Sequence, residues 1–110
     1  SISKQEHVQE EAKFPGGREG WQKFLSTTCN FKSIVEKGGA PGKYTVLLSF
    51  IIDKEGKIKD VQALNDPGFG SREDAVRVLS ASPKWTPAKL NGKNVIYRNK
   101  VSITYVVPKN

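Results

Sequence analysis

The chain has 110 residues but only one histidine and one cysteine, which narrows the chemistry open to it. His7 lies in a polar N-terminal stretch, a poor place to hold a general base. Cys29 has no second histidine to activate it, and an unactivated cysteine is more often a small buried apolar residue. One of each also excludes a disulfide framework and a structural zinc site built within the chain. Gly42-Lys43, following Gly38 and Gly39, hints at a phosphate loop, yet Lys37 and Tyr44 break the motif and a strand follows where a helix is needed. Gly68-Phe69-Gly70 starts like a dinucleotide fingerprint, but Glu73 stands where the third glycine belongs. Asp53 and Glu55 lack the remaining ligands of a calcium loop and read as a solvated turn. With no nucleophile–base pair, metal set or cofactor motif, the sequence reads as a non-enzymatic domain without a cofactor.

Binding is the remaining chemistry, and charge is its clearest signal. The formal net charge is +7. Residues 1–74 carry eleven basic and eleven acidic side chains and are neutral together. Residues 75–110 hold Arg77, Lys84, Lys89, Lys93, Arg98, Lys100 and Lys109 with no acid, so the whole excess sits in the last third. Such a one-sided field favours an anionic partner, although a solvated basic face is the plain alternative. Nucleic-acid binding would need aromatics exposed on central strands. Phe50 and Tyr105 fall on the apolar face, leaving Tyr97 as the one aromatic expected to be exposed beside Arg98 and Lys100, so nucleic acid is not the expected partner.

The elements that position these groups follow from periodicity. Residues 1–12 are polar and aperiodic and read as the end of a linker, with one domain over residues 13–110. The chain opens on Ser1 and is read as a fragment or processed product. Its strongest apolar stretch, residues 46–52, is far too short to span a membrane. Phe14-Pro15-Gly16-Gly17 is a turn. Trp21, Phe24, Leu25 and Thr28 form a helical stripe that predicts a helix over about 17–28. Tyr44, Val46, Leu48, Phe50 and Ile52 alternate onto one face of a core strand. A polar turn ending at Gly56-Lys57 leads into a second strand over 58–64, making an antiparallel hairpin. Ser71, followed by Glu73 and Asp74, is expected to cap a second helix that ends before Pro83. An extended segment from Trp85 leads to Asn91-Gly92, a hairpin turn, and to the longest strand, 94–107, with Val101, Ile103, Tyr105 and Val107 on one face. Trp21 and Trp85 are read as core, and Asp60 as a surface partner of Lys57 or Lys59. The fold class expected is α+β, two layers, with two helices packed on a small antiparallel sheet.

Set in order, certain residues carry a resemblance. They are Phe14-Pro15-Gly16-Gly17 with Trp21 and Phe24-Leu25, then Gly39-Ala40-Pro41-Gly42-Lys43-Tyr44-Thr45-Val46, then Phe50-Ile51-Ile52-Asp53-Lys54-Glu55-Gly56-Lys57-Ile58-Lys59-Asp60-Val61. Residues 73–78, Pro83-Lys84-Trp85-Thr86-Pro87-Ala88 and Asn91-Gly92-Lys93 complete the set. Together they resemble the TonB C-terminal domain, in the version common in Bacteroidetes-type bacteria, over about residues 13–107. The chain departs from many relatives in having Phe31-Lys32 in place of Tyr-Pro, and Asn99-Lys100-Val101 where a proline opens the last strand.

The resemblance implies a periplasmic domain of an inner-membrane-anchored energy transducer. Its partners would be a proton-driven motor complex, reached through the missing N-terminal part, and outer-membrane transporters whose TonB box is bound by strand addition. The implied acceptor is the last strand, at Val101, Ser102, Ile103, Thr104, Tyr105, Val106 and Val107, flanked by Arg98, Lys100 and Lys109. The same exposed edge could pair two copies of the isolated domain. An alternative expectation is a sensing or scaffolding module of another envelope protein with this fold.

Overall fold

The computed structural model describes residues 2–3 and 9–109. Among these residues, five strands and three helices follow in the order β1 (Ile2–Ser3), α1 (Gly17–Thr28), α2 (Lys32–Glu36), β2 (Gly42–Ile52), β3 (Ile58–Ala63), α3 (Ser71–Ser80), β4 (Ala88–Leu90) and β5 (Lys93–Val107). The main sheet has the order β1-β5-β2-β3, and β4 pairs with the start of β5. Strands β2, β3, β4 and β5 pair antiparallel, while β1 joins β5 in parallel. With α1 and α3 as its two longer helices, this is the α+β fold expected from the pattern.

The core lies on one face of the sheet. β2 gives Val46, Leu48, Phe50 and Ile52, and β5 gives Tyr97, Ile103, Tyr105 and Val107, all buried. Strict alternation in both strands places these side chains on the same side. α3 presses Ala75, Val78 and Leu79 onto them, and Ile34 of α2 closes one end. α1 buries no residue completely. It is held instead through Trp21, Phe24 and Leu25, half-buried against the core. Trp21 and Phe24 meet Phe14 at 5.3 Å between ring centroids, and Trp85 carries that cluster down to Phe50, also at 5.3 Å. Edge-to-face and tilted contacts of this kind suit the ring quadrupoles and anchor a helix with little aliphatic surface.

Two turns justify their glycines. Asn91 and Gly92 have φ of 53° and 75°, the left-handed pair of the tight β4–β5 hairpin. Gly56 has φ of 89°, and a Cβ there would collide with the Trp85 carbonyl. The contact is close because the Trp85 amide donates to the Gly56 carbonyl at 2.9 Å, tying the β2–β3 turn to the segment before β4.

Several local expectations are corrected. Ser71 does not cap α3: Gly70 is the N-cap, and the Ser71 hydroxyl donates back to the Gly68 carbonyl at 2.8 Å while its side chain is fully buried. Asp60 pairs with neither lysine. Lys59 goes to Asp53 at 3.3 Å and Lys57 to Glu55 at 3.7 Å. Asp60 instead has φ of 52° at a bulge opposite Phe50, which lets Ile58, Val61 and Ala63 all meet the core despite their uneven spacing. Tyr97, expected to be exposed, is 1% exposed. It pairs with Ile52 on the covered face, and burial together with the charge of Glu11 pushes its phenol pKa up.

The pairing also extends beyond the boundary set at residue 13. Glu10 bridges Lys89 and Lys13 bridges Thr86, with Ala12 and Phe14 buried beside them. Ladder bonds use only the main chain, so a polar aperiodic segment can join a sheet without announcing it.

Candidate peptide-binding edge

Among the described residues, β3 and most of β5 each have a side that no strand pairs, and the two edges differ in kind. β3 is short, bulged at Asp60 and carries Lys59 and Gln62 with outward exposure, features that blunt an edge against further pairing. β5 is fifteen residues long and pairs with β2 in unbroken register from Tyr97 to Val107. On its other side β1 covers only Ile96 and Tyr97. Among the described residues, no strand pairs with that side of 98–107, a stretch on the order of 30 Å.

Leu47 fixes which main-chain groups point outward. Its carbonyl accepts from Leu64 at 2.8 Å and its amide donates to the Asn65 side chain at 2.8 Å, so both of its groups face the β3 side. The Leu47–Ser102 pair is therefore a non-hydrogen-bonded one. Alternation makes Leu48–Val101, Val46–Ile103 and Tyr44–Tyr105 the hydrogen-bonded pairs. Val101, Ile103 and Tyr105 spend their main-chain groups on β2. Ser102, Thr104 and Val106 turn theirs to the open edge. Asn99 confirms the parity, because its side chain accepts from the Lys100 amide at 2.8 Å and so caps an outward donor.

The site residues expected from sequence thus divide in two. Ser102, Thr104 and Val106 offer edge groups, and their side chains stand on the open face of the sheet, with Val106 52% exposed. Ile103, Tyr105 and Val107 are buried and Val101 half-buried, so they hold the strand in place. Thr104 meets Thr45 hydroxyl to hydroxyl at 3.0 Å. Of the flanking cations, Arg98 and Lys100 project from the same open face at one end of the edge, and Arg98 reaches the Ser49 hydroxyl at 3.4 Å. Lys109 lies past the strand's end and is exposed.

Tyr105 anchors the far end of β5. Its hydroxyl donates to Asp74 at 2.8 Å, and the same carboxylate accepts from the Asn30 amide at 3.0 Å and from Arg77 at 2.7 Å. Burial works to raise the Asp74 pKa, but these donors outweigh it and hold it below the ordinary carboxylate value. Burial, and then the bond to Asp74, push the Tyr105 phenol far up. Burial likewise raises the Cys29 thiol, so it stays protonated and unreactive at neutral pH. His7 lies outside the described residues.

Sequence reasoning missed the role of Asn99 and the groove beside it. On the covered face, a cavity of about 460 Å³ lies between α1 and β5, bounded by Phe14, Trp21, Trp85, Lys13, Arg18 and Val101. Aromatic residues near two cations were the available signal, but they read as ordinary core and surface.

No helix of the described residues is long and apolar enough to cross a membrane. Comparison with protein families matched residues 41–107 to the Gram-negative bacterial TonB protein C-terminal family. No protein with a curated description matched the chain. The family is a non-enzymatic, transport-associated one whose domains are periplasmic and act with outer-membrane transporters. The matched stretch runs from the loop before β2 to the end of β5 and includes the whole candidate edge, and the chain belongs to the TonB C-terminal domain family.

Proposed function

We propose that this chain is the transporter-engaging end of a TonB-type energy transducer. It binds the extended TonB box of an outer-membrane transporter as a further strand on β5 and passes on a pull that derives from an inner-membrane proton-motor complex. The protein carrying it is anchored in the inner membrane. The observation that carries this reading is the outward set of main-chain groups at Ser102, Thr104 and Val106 on a long regular edge. Strand addition suits force transmission, since a row of parallel hydrogen bonds shares a load along the strand. Arg98, Lys100 and Lys109 favour an acidic segment and speed its approach.

Calorimetric titration of the domain with transporter N-terminal peptides and scrambled controls tests the proposal. Saturable one-to-one binding of the native sequences, with modest salt dependence, is expected. Equal heats from native and scrambled peptides would refute it and favour a sensing or scaffolding role.

A further inference from the structure

The edge alone is a weak receptor. Three residues offer a donor and an acceptor apiece, and each hydrogen bond contributes little net, because it replaces one made to water. Ordering each peptide residue costs conformational entropy of similar size. Main-chain pairing over this length therefore comes close to cancelling, and side chains must supply affinity as well as choice of partner.

The groove between α1 and β5 is placed to do this. Asn99 and Val101 line it, and both lie on β5 beside the open edge. Their β2 partners Phe50 and Leu48 are fully buried and do not line it, so the groove opens away from β2. A strand added to β5 would run about 4.8 Å further out, and its residue opposite Asn99 or Val101 would point its side chain to the same covered face. That side chain would meet Phe14, Trp21 and Trp85, whose rings pack at 5.3 to 5.8 Å from one another. Lys13 and Arg18 stand at the rim, and neither has a carboxylate within ion-pair distance among the described residues.

We propose that this groove is the specificity pocket of the added strand: it takes one aromatic or long aliphatic side chain, with an acidic residue of the same segment facing Lys13 and Arg18. The inference rests on strand addition at β5. Its occupant is a peptide side chain because the groove is continuous with the edge and its apolar floor is rimmed by two cations.

The test uses capped decapeptides of alternating Thr and Val that carry one Glu and, at one central position, Phe, Leu or Ala. Amide cross-peaks of Ser102, Thr104 and Val106 report the edge, and the Trp21 indole N–H reports the groove. The Phe and Leu peptides should bind about tenfold more tightly than the Ala peptide, as expected for burying one large apolar side chain incompletely. Only those two should move the Trp21 indole signal. Arg18→Glu, on the exposed first turn of α1 where a carboxylate suits the helix dipole, should weaken the Glu peptide about two- to fivefold and favour a Lys-substituted one. Lys13→Glu should act in the same direction. Equal affinity of all three peptides, with edge amides shifting and Trp21 unmoved, would overturn the pocket and leave the edge standing. No shift of the edge amides at millimolar peptide would overturn strand addition and the pocket with it.

Discussion

Ser102 and Ile103 are neighbours on β5, yet proline should have opposite consequences at the two positions. Ser102 turns its amide to the open edge and its side chain to solvent, so Ser102→Pro removes no bond to β2. Proline is tolerated on edge strands in this orientation, and Val101 already has the extended backbone that a following proline demands. Stability should change by less than about 1 kcal/mol. Ile103 is buried and its amide faces Val46, which is fully buried, so Ile103→Pro orphans the Val46 carbonyl. An unsatisfied buried group costs about 1–3 kcal/mol, and the trimmed side chain leaves a cavity worth about 1 kcal/mol more. A loss of about 3 kcal/mol is expected. Binding should follow the reverse order among folded variants. The Ser102→Pro ring occupies the place of a donor and holds the incoming strand off its neighbours, removing about two ladder bonds. At about 1 kcal/mol each, affinity falls roughly thirtyfold. Urea unfolding followed by tryptophan fluorescence gives the stabilities, and calorimetric titration with a transporter peptide gives the affinity. Equal destabilisation by the two prolines would refute the assignment of which amides face outward. Unchanged affinity in Ser102→Pro would show that this edge is not the docking site.

Asp74→Asn should cost about 2 kcal/mol at neutral pH, because the charge-assisted bonds to Arg77 and the Asn30 amide weaken together. The Asp74 pKa is depressed in the folded state, so its contribution is complete above the unfolded value near 4 and disappears as pH falls through the folded value. Thermal unfolding between pH 2 and 7 should therefore show a flatter acid limb for the Asn variant. Asn99→Ala frees the capped Lys100 amide and lengthens the available edge. The expected result is more self-association in analytical ultracentrifugation, with an unchanged monomer–dimer equilibrium contradicting it. Reversing Arg98 and Lys100 to Glu should slow association with an acidic peptide several-fold and reduce its salt dependence, as read by stopped-flow mixing, with little effect on unfolding.

The sequence made the frame readable wherever burial is one-sided. The alternation of Tyr44 to Ile52 and of Val101 to Val107, the stripe of α1 and the Asn91-Gly92 turn each state their element locally, because only one face of each can be apolar. Other features are set by partners distant in sequence. α2 is only five residues, too short to show a period. The bulge at Asp60 left a trace in the three-position spacing from Ile58 to Val61, but such a spacing also fits a strand that ends early. Tyr97 looked exposed because its neighbours Arg98 and Lys100 are charged, whereas its own parity on β5 decides the matter. The residues themselves state a strand there, and only the family resemblance marked it as an edge. That property depends on β2 taking the other side and on Leu47 setting the parity, neither of which residues 101–107 encode. The groove at Trp21 was hidden for the same reason, since one of its sides, Asn99 and Val101, belongs to β5.

Hydrogen exchange at single amides along β5 tests the central claim most directly. In the free domain, the amides of Ser102, Thr104 and Val106 should exchange fast while those of Val101, Ile103 and Tyr105 are protected by β2. Adding a transporter N-terminal peptide should protect the fast set and leave the slow set unchanged, and a scrambled peptide should do neither. Uniform protection along 101–107 in the free domain, or a transporter peptide that protects none of the three outward amides, would contradict strand addition at this edge.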